Sequence, residues 1–349
     1  MLVIECSGTP YEIGLTHGTL ASAAIHRTLL FYTSLFSTAC GLSWPDVLSR
    51  ATPFAQRARE AWPAYYEEME GIAEGAGVGV LDVVALNVRT EIRFGMGGGC
   101  TALGWRVGGN EGEGDGEGRV WLAQNWDWDT AQKENLIITR ITQPGLPTLI
   151  QVTEAGIIGK IGFNAAGVGT LFNALSIRGA DPTRLPAHFG LRAVLESTSV
   201  AAALQRLEAC GMASAAHILI GDAEGVLGVE FTKSTFARCE MDGDGRVVHT
   251  NHLLREHPGE TDSVWLKDSP ARMATMERNA GALGPGAGWD EIGGLFEDEE
   301  GAPGAICRTQ TEETGSATLF NIVMDLKSKK AVVRLGRPTE PEEIVTLQL

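Results

Sequence analysis

Apolar positions keep a helical spacing up to about residue 100 and a strand-like spacing beyond it. After a short apolar strand at 2–6, Thr9 stands as a cap with Pro10 in the first helical position. Ile13, Leu15, Leu20 and Ile25 then recur on one helical face. Ser43, followed by Trp44, Pro45 and Asp46, is a second start signal. The period continues from Val47 to Met69, interrupted by Pro53 and Pro63 and closed by glycines. A shorter helix is predicted over 81–92. From Cys100 onward, runs bounded by glycine, proline or polar turns read as strands: CTALGWRV, RVWLAQNW, NLIITRIT, PTLIQVTE, GKIGFN and GVGTLFNAL. Two helices, HFGLRAVLEST and VAAALQRLEACG, precede the strands HILIGD, VLGVEFT, FARCE and RVVHTN. A further helix begins at Ser269–Pro270, and ATLFNIVMDL and KAVVRLG return to strands. Strand runs alternating with helix pairs predict an α+β chain whose two antiparallel sheets carry helices on their outer faces.

Composition narrows what such a chain does. With 349 residues, 44% apolar and 21% charged, it has the material for a large core, in one layered domain or two. A net charge of −16 argues against nucleic acid, whose binding needs Lys and Arg to displace counterions. The first residues meet Glu5 at once and lack a basic stretch, so neither a signal peptide nor a spanning helix is expected. The closing Leu347-Gln348-Leu349 lacks the basic residue of a peroxisomal address, which leaves the cytoplasm as the expected location.

The six cysteines, Cys6, Cys40, Cys100, Cys210, Cys239 and Cys307, form no CxxC pair, so neither a disulfide framework nor a zinc site is suggested. Residues 108–118, rich in glycine and acid, read as a solvated hairpin loop, with calcium binding as the alternative. Met241 to Arg246 lacks the downstream Glu of a calcium loop and reads as a turn. His249, His252 and His257 are close in sequence because of one strand end, and no Cys or carboxylate spacing joins them as a metal site. No metal and no bound cofactor is expected.

One position carries candidate chemistry. Cys100 follows Gly97, Gly98 and Gly99 and precedes Thr101, at the boundary between the helical front and the strand-rich body. Glycine clusters usually mark flexible connectors. They also admit backbone conformations closed to other residues, which could hold a strained peptide with the Cys100 thiol against the Gly99 carbonyl. An N-to-S acyl shift and hydrolysis would then free the Cys100 α-amine. With an unperturbed pKa of about 8, that amine could act as base for its own thiol.

Motifs on both sides of Cys100 resemble one family. They include GTPYEIGLTHG (8–18), WPAYYEEMEGIAEGA (62–76), LNVRTE (86–91), GCT (99–101), QNWDW (124–128), KENLI (133–137) and TEAGIIGKIGFNAAGV (153–168). NAL (173–175), LESTS (195–199), VHTNH (248–252), ICR (306–308), ATLFNI (317–322) and VRLGRPT (333–339) complete the set. In order and spacing the chain resembles the acyl-coenzyme A:6-aminopenicillanic-acid acyltransferases (isopenicillin N acyltransferases) and the autoproteolytic cysteine Ntn-hydrolases around them. The resemblance implies a four-layer αββα Ntn-hydrolase sandwich. It implies a cut before Cys100 that gives a helical piece 1–99 and a piece 100–349, paired in one domain. It also implies acyl transfer through a Cys100 thioester, from an amide or an acyl-coenzyme A co-substrate to an amine or to water.

By the same resemblance Cys100 is the nucleophile, Asn251 an oxyanion-hole amide and Asp127 the carboxylate that orients the Cys100 amine. More distant amidases of the superfamily suggest a site contact at Asn173 and a site arginine at Arg308. Thr101 and Thr232 line the substrate. Thr232 departs from the family's pattern, where a serine follows the Glu-Phe pair; it keeps the hydroxyl and adds a methyl. The acidic loop after Cys100 is longer, and Arg308 is followed by Thr309–Gln310 rather than an aromatic stretch, so donor and acceptor stay open. A hydrolase of β-alanyl or other N-acyl amides without penicillin chemistry, and a non-catalytic binding protein on the same fold, are the alternatives.

Overall fold

The computed structural model of the chain describes residues 1–92, 98–108, 118–311 and 315–349. Gly97 and the acidic stretch 109–117 lie outside the described residues.

Local signals set the first element boundaries. Strand β1 (Leu2–Ser7) leads into α1 (Pro10–Leu20), where the Thr9 hydroxyl accepts from the Glu12 N–H and the Glu12 carboxylate accepts from the Thr9 N–H. Helix α2 (Ser22–Cys40) ends on Gly41 in the left-handed region, and Ser43 and Asp46 form the same reciprocal cap on α3 (Trp44–Ala61). The proline signals at Pro53 and Pro63 have opposite outcomes. Pro53 lies inside α3, and the residue whose carbonyl it leaves without a donor, Ser49, is exposed, where water can serve it. Pro63 opens a new helix, α4 (Pro63–Ala76), because Trp62 before it is pushed out of helical geometry. The predicted helix over 81–92 is two pieces, α5 (Val80–Asn87) and α6 (Arg89–Ile92).

Helices α1 and α4 cross with almost no side chain between them. A Cβ on Gly14 would stand 1.9 Å from the Glu68 carbonyl oxygen, and one on Gly71 would stand 2.2 Å from that of Tyr11. Both positions therefore need glycine for backbone approach, a use its conformational freedom does not explain.

The body supplies β2 (Cys100–Val107), β3 (Arg119–Asp129), β4 (Leu136–Thr142), β5 (Leu149–Glu154), β6 (Ile161–Asn164) and β7 (Gly169–Ala174). Helices α7 (Ala187–Leu195) and α8 (Val200–Cys210) follow, then β8 (Ala216–Asp222), β9 (Gly225–Phe231), β10 (Phe236–Cys239) and β11 (Arg246–His249). After α9 (Ser269–Gly281) and α10 (Trp289–Gly294) the chain closes with β12 (Ser316–Asp325), β13 (Lys330–Leu335) and β14 (Glu343–Gln348). The sequence reading does not contain β14, whose mostly exposed positions suit an edge strand.

One sheet has the order β1-β4-β5-β6-β7-β8-β9-β10, the other β11-β2-β3-β12-β13-β14. Pairing is antiparallel throughout, except that β1 lies parallel to β4, as only a strand arriving from far along the chain can. The sheets face each other through β2 and β3 on one side and β7, β8 and β9 on the other. Helices α7 and α8 cover the outer face of the eight-stranded sheet, with α4 packed on α7, while α9 and α10 cover the six-stranded one. The result is the four-layer α/β/β/α sandwich that the resemblance implies, in an α+β fold.

Candidate active site

Cys100 opens β2, a strand with neighbours on both sides, and its register partner on β3 is Trp126. Directly opposed residues of an antiparallel pair share a face. Cys100 and Trp126 belong to the core between the sheets, whereas Leu103, Trp105, Trp121 and Ala123 pack under α9 and α10. The thiol therefore points into the sandwich, and Thr101 and Asp127, one residue along each strand, point outward toward α9.

The backbone before Cys100 runs along β3 in a slot that admits only glycine at position 98 and is tight at position 99. A Cβ on Gly98 would sit 1.6 Å from the Asp127 carbonyl oxygen, and one on Gly99 would sit 3.0 Å from Asp127 Oδ2 and 3.1 Å from an Arg272 nitrogen. The Asp127 N–H donates to the Gly99 carbonyl oxygen at 2.8 Å, so a backbone donor is already placed on the carbonyl of the Gly99–Cys100 junction.

Asn251, Asn173, Asp127, Arg308 and Thr101 gather here. The Cys100 N–H donates to Asn251 Oδ1 at 2.9 Å, and Arg272 donates to that same oxygen at 2.9 Å. Asn251 Nδ2 in turn donates to the Ala174 carbonyl at 3.1 Å. Two donors on one oxygen fix the amide orientation, so in the uncut chain Asn251 presents its oxygen to Cys100 and its N–H to Ala174. Asn173 Nδ2 donates to the Cys100 carbonyl at 3.2 Å.

Asp127 makes no side-chain bond to the Cys100 nitrogen. Its carboxylate accepts from Thr318 Oγ1 at 2.7 Å and from Arg308 Nε at 3.3 Å, and Arg308 also donates to Asp268 at 2.7 Å. Thr101 Oγ1 accepts from Arg272 at 3.1 Å, on the face away from the thiol. Thr232 stands apart: its hydroxyl accepts the N–H groups of Ser234 and Thr235 and closes the β9–β10 turn.

Arg272 is the residue that sequence reasoning missed. It is buried, and it donates to the Cys100 carbonyl at 2.9 Å, to Thr101, to Asn251 and to Asp268. The available signal was its place near the start of α9, where the helix dipole disfavours a cation. Its guanidinium reaches both the N-cap residue Asp268 and the groups around Cys100 outside the helix.

Burial pushes the Cys100 thiol up to about 12, and the Asp127 charge adds to this, while Arg272 and Lys160 pull it down. Burial likewise raises the Asp127 carboxyl to about 6 against the opposing charges of Arg308 and Arg272. These shifts belong to the uncut chain, in which the Cys100 nitrogen is an amide.

Histidines fill the next layer without a ligand pattern. His217 and His249 stack at 3.6 Å between centroids; His217 Nδ1 lies 3.0 Å from Asn173 Oδ1, and His249 and His257 each meet Glu230. Among the described residues no group of three His, Cys, Asp or Glu is placed to hold a metal ion. No helix among them is long and apolar enough to cross a membrane. A cleft of about 1020 Å³ is lined by Arg50 and Ile92 from the front of the chain and by Ser176, Arg178 and Glu260 from the body. Ser176 is three positions beyond Asn173, so the cleft begins about 10 Å of chain from the Cys100 carbonyl.

The chain is similar to known proteins. Residues 113–340 match the family model described as acyl-coenzyme A:6-aminopenicillanic acid acyl-transferase. The chain is 41% identical over 350 residues to the 40 kDa form of the acyl-coenzyme A:6-aminopenicillanic-acid-acyltransferase of Emericella nidulans, covering 98% of this chain and 95% of that one. Among solved structures, it is 13% identical to penicillin V acylase from Agrobacterium tumefaciens, with a TM-score of 0.46, over 72% of this chain and 86% of that one. It is 16% identical to the Caenorhabditis elegans ortholog of N-acylethanolamine-hydrolyzing acid amidase, with a TM-score of 0.48, over 65% and 93%. By the family match and the near full-length relative, the chain is an enzyme that belongs to the acyl-coenzyme A:6-aminopenicillanic acid acyl-transferase family.

Proposed function

We propose that the chain cuts its own Gly99–Cys100 bond and then carries acyl groups on the Cys100 sulfur. The observation that carries this reading is the Asp127 N–H, bonded to the carbonyl oxygen of Gly99 directly before the Cys100 thiol, where Gly98 lies too close to the Asp127 carbonyl for any Cβ. Such a donor stabilises the oxyanion formed when sulfur adds to that carbonyl. The S–C bond forms, the C–N bond breaks, and the thiol proton ends on the departing Cys100 nitrogen. Water then hydrolyses the Gly99 thioester, which leaves a Gly99 carboxylate, a free thiol and an α-amine.

That amine, held by Asn251 Oδ1, serves the thiol as base in each later acyl transfer. The pieces 1–99 and 100–349 stay together, because β1 is a strand of the larger sheet and α1 to α6 pack on the body. In line with the acyltransferase of Emericella nidulans, the donor is an acyl-coenzyme A or an amide, and the acceptor is 6-aminopenicillanic acid, another amine or water. The cleft, lined from both pieces, is where the acyl group and its leaving group lie.

Purified protein is expected as fragments of about 10 and 27 kDa out of 37.1 kDa, the larger beginning Cys-Thr-Ala-Leu, and Cys100→Ala as one whole chain. Mass spectra after incubation with acyl-coenzyme A and amide panels should show an acyl-Cys100 adduct, and added 6-aminopenicillanic acid separates transfer from hydrolysis. An active wild-type chain that stays whole refutes the activation step.

A further inference from the structure

Between the sheets, beneath the nucleophile, lies a charge cluster that the chemistry above does not use. Lys160 is fully buried, and its ammonium sits 3.5 Å from the centroid of the Trp126 ring, the ring opposite Cys100 on β3. Its ion-pair partner is Glu154 Oε2, which also takes Arg89 at 2.6 Å. Glu154 Oε1 accepts from Gln132 at 3.0 Å and from the Tyr32 hydroxyl. Two cations share the Glu154 carboxylate, and the buried Glu91 carboxyl, which takes the Ala187 N–H and the Ser214 hydroxyl, faces Arg89. A buried ammonium such as Lys160 persists where anions face it.

We propose that Lys160 is the counter-charge of the Cys100 thiolate, held over Trp126 by Glu154 so that the sulfur ionises between the sheets. This rests on Cys100 being the nucleophile. Charge placement supports it. The Lys160 charge pulls the thiol down, and a Cys100 thiolate pulls the lysine up. Burial lowers Lys160 to about 8 against Glu154, so it stays protonated at neutral pH only while anions face it. The remaining neighbours are placed differently, and Arg272, whose charge lowers the thiol more than that of Lys160, lies on the outer face of the sheet. His188, from α7, is held neutral by burial and by the Arg89 and Lys160 charges, with its Nδ1 on the Gly159 carbonyl at 2.8 Å. Asp127 opposes ionisation, and Arg272, the other favourable charge, bonds the Cys100 backbone from the outer side. Arg89 and Tyr32 come from the front piece, so that piece keeps Lys160 in place after a cut.

The test is the pH dependence of Cys100 alkylation by iodoacetamide, located by mass spectrometry, in wild type, Lys160→Met and Lys160→Arg. Lys160→Met leaves Glu154 paired with Arg89, Tyr32 and Gln132, so folding is retained. Its alkylation midpoint should rise by about one pH unit, and its rate at neutral pH should fall about tenfold. Lys160→Arg, which keeps the charge, should return the midpoint to that of wild type. An unchanged midpoint in Lys160→Met, or a raised one that Lys160→Arg does not restore, overturns the proposal. Wild type that neither cuts itself nor takes an acyl group overturns the proposed function instead, and leaves the alkylation comparison readable.

Discussion

Arg272 gives the sharpest test of the site's architecture. Arg272→Met keeps an unbranched apolar stem and removes donors to the Cys100 carbonyl and Asn251 Oδ1, both at 2.9 Å, and to Thr101 at 3.1 Å. A hydrogen bond from a charged donor contributes about 1.5–3 kcal/mol, but these bonds share one guanidinium and do not add fully. Asp268, also left by Arg272 Nε, keeps Arg308 at 2.7 Å and is 25% exposed, so no bare buried anion remains. A loss of about 3 kcal/mol follows, the low end of the range for breaking a buried pair. The cut should suffer more visibly. Asn251 Oδ1 loses one of its two donors, and a drift of about 1 Å in the Cys100 backbone is enough to slow chemistry about 100-fold.

Stability is measured by urea unfolding in a Cys100→Ala background, where both chains stay whole. The cut is followed by denaturing gel and mass spectrometry in the Cys100 chain. Arg272→Lys, with a point charge in place of the fork, should fall between the two. An Arg272→Met chain that cuts within about twofold of wild type and unfolds within about 0.5 kcal/mol of it refutes this role.

Two other outcomes follow from burial. Gly71→Ala puts a Cβ 2.2 Å from the Tyr11 carbonyl oxygen, and since backbone cannot swing away, α1 and α4 must part. Overpacking of about 1–3 kcal/mol outweighs the gain of about 1 kcal/mol from alanine's helix propensity, and thermal unfolding should show a net loss. His17, whose Nε2 accepts the Gly156 N–H at 3.1 Å, is held neutral by burial and by the Arg192 charge, with a value of about 4 against 6.5. The unfolded chain therefore takes up that proton first. The stability this histidine contributes is present above pH 6.5 and is lost as pH falls from 6.5 toward 4, by about 3 kcal/mol. His17→Gln, which keeps an acceptor, should flatten urea midpoints over that window, and an unchanged slope would exclude His17 as the cause.

The residues that were legible in the sequence did their work locally or as part of an ordered set of motifs. Thr9 with Glu12 and Ser43 with Asp46 cap their own helices, and the change from helical to strand period marks Cys100 because β2 begins there. Motif order brought Cys100, Asn251, Asp127, Asn173 and Arg308 into one list, and the fold gathers all five. Thr232 carried the same kind of signal and lies in a turn.

What the sequence could not express was direction and distance. Asn251 turns its oxygen to Cys100 only because Arg272, 21 positions on, shares that oxygen. The α1–α4 crossing, the parallel β1–β4 edge and the pairing of Lys160 and Arg89 with Glu154 join residues that sequence reading does not connect. Composition and period determined that two sheets would form, and where the strand-rich body begins. Tertiary packing alone decided which face each charge meets, because a hydrogen bond or an ion pair depends on a few ångströms that sequence separation does not encode.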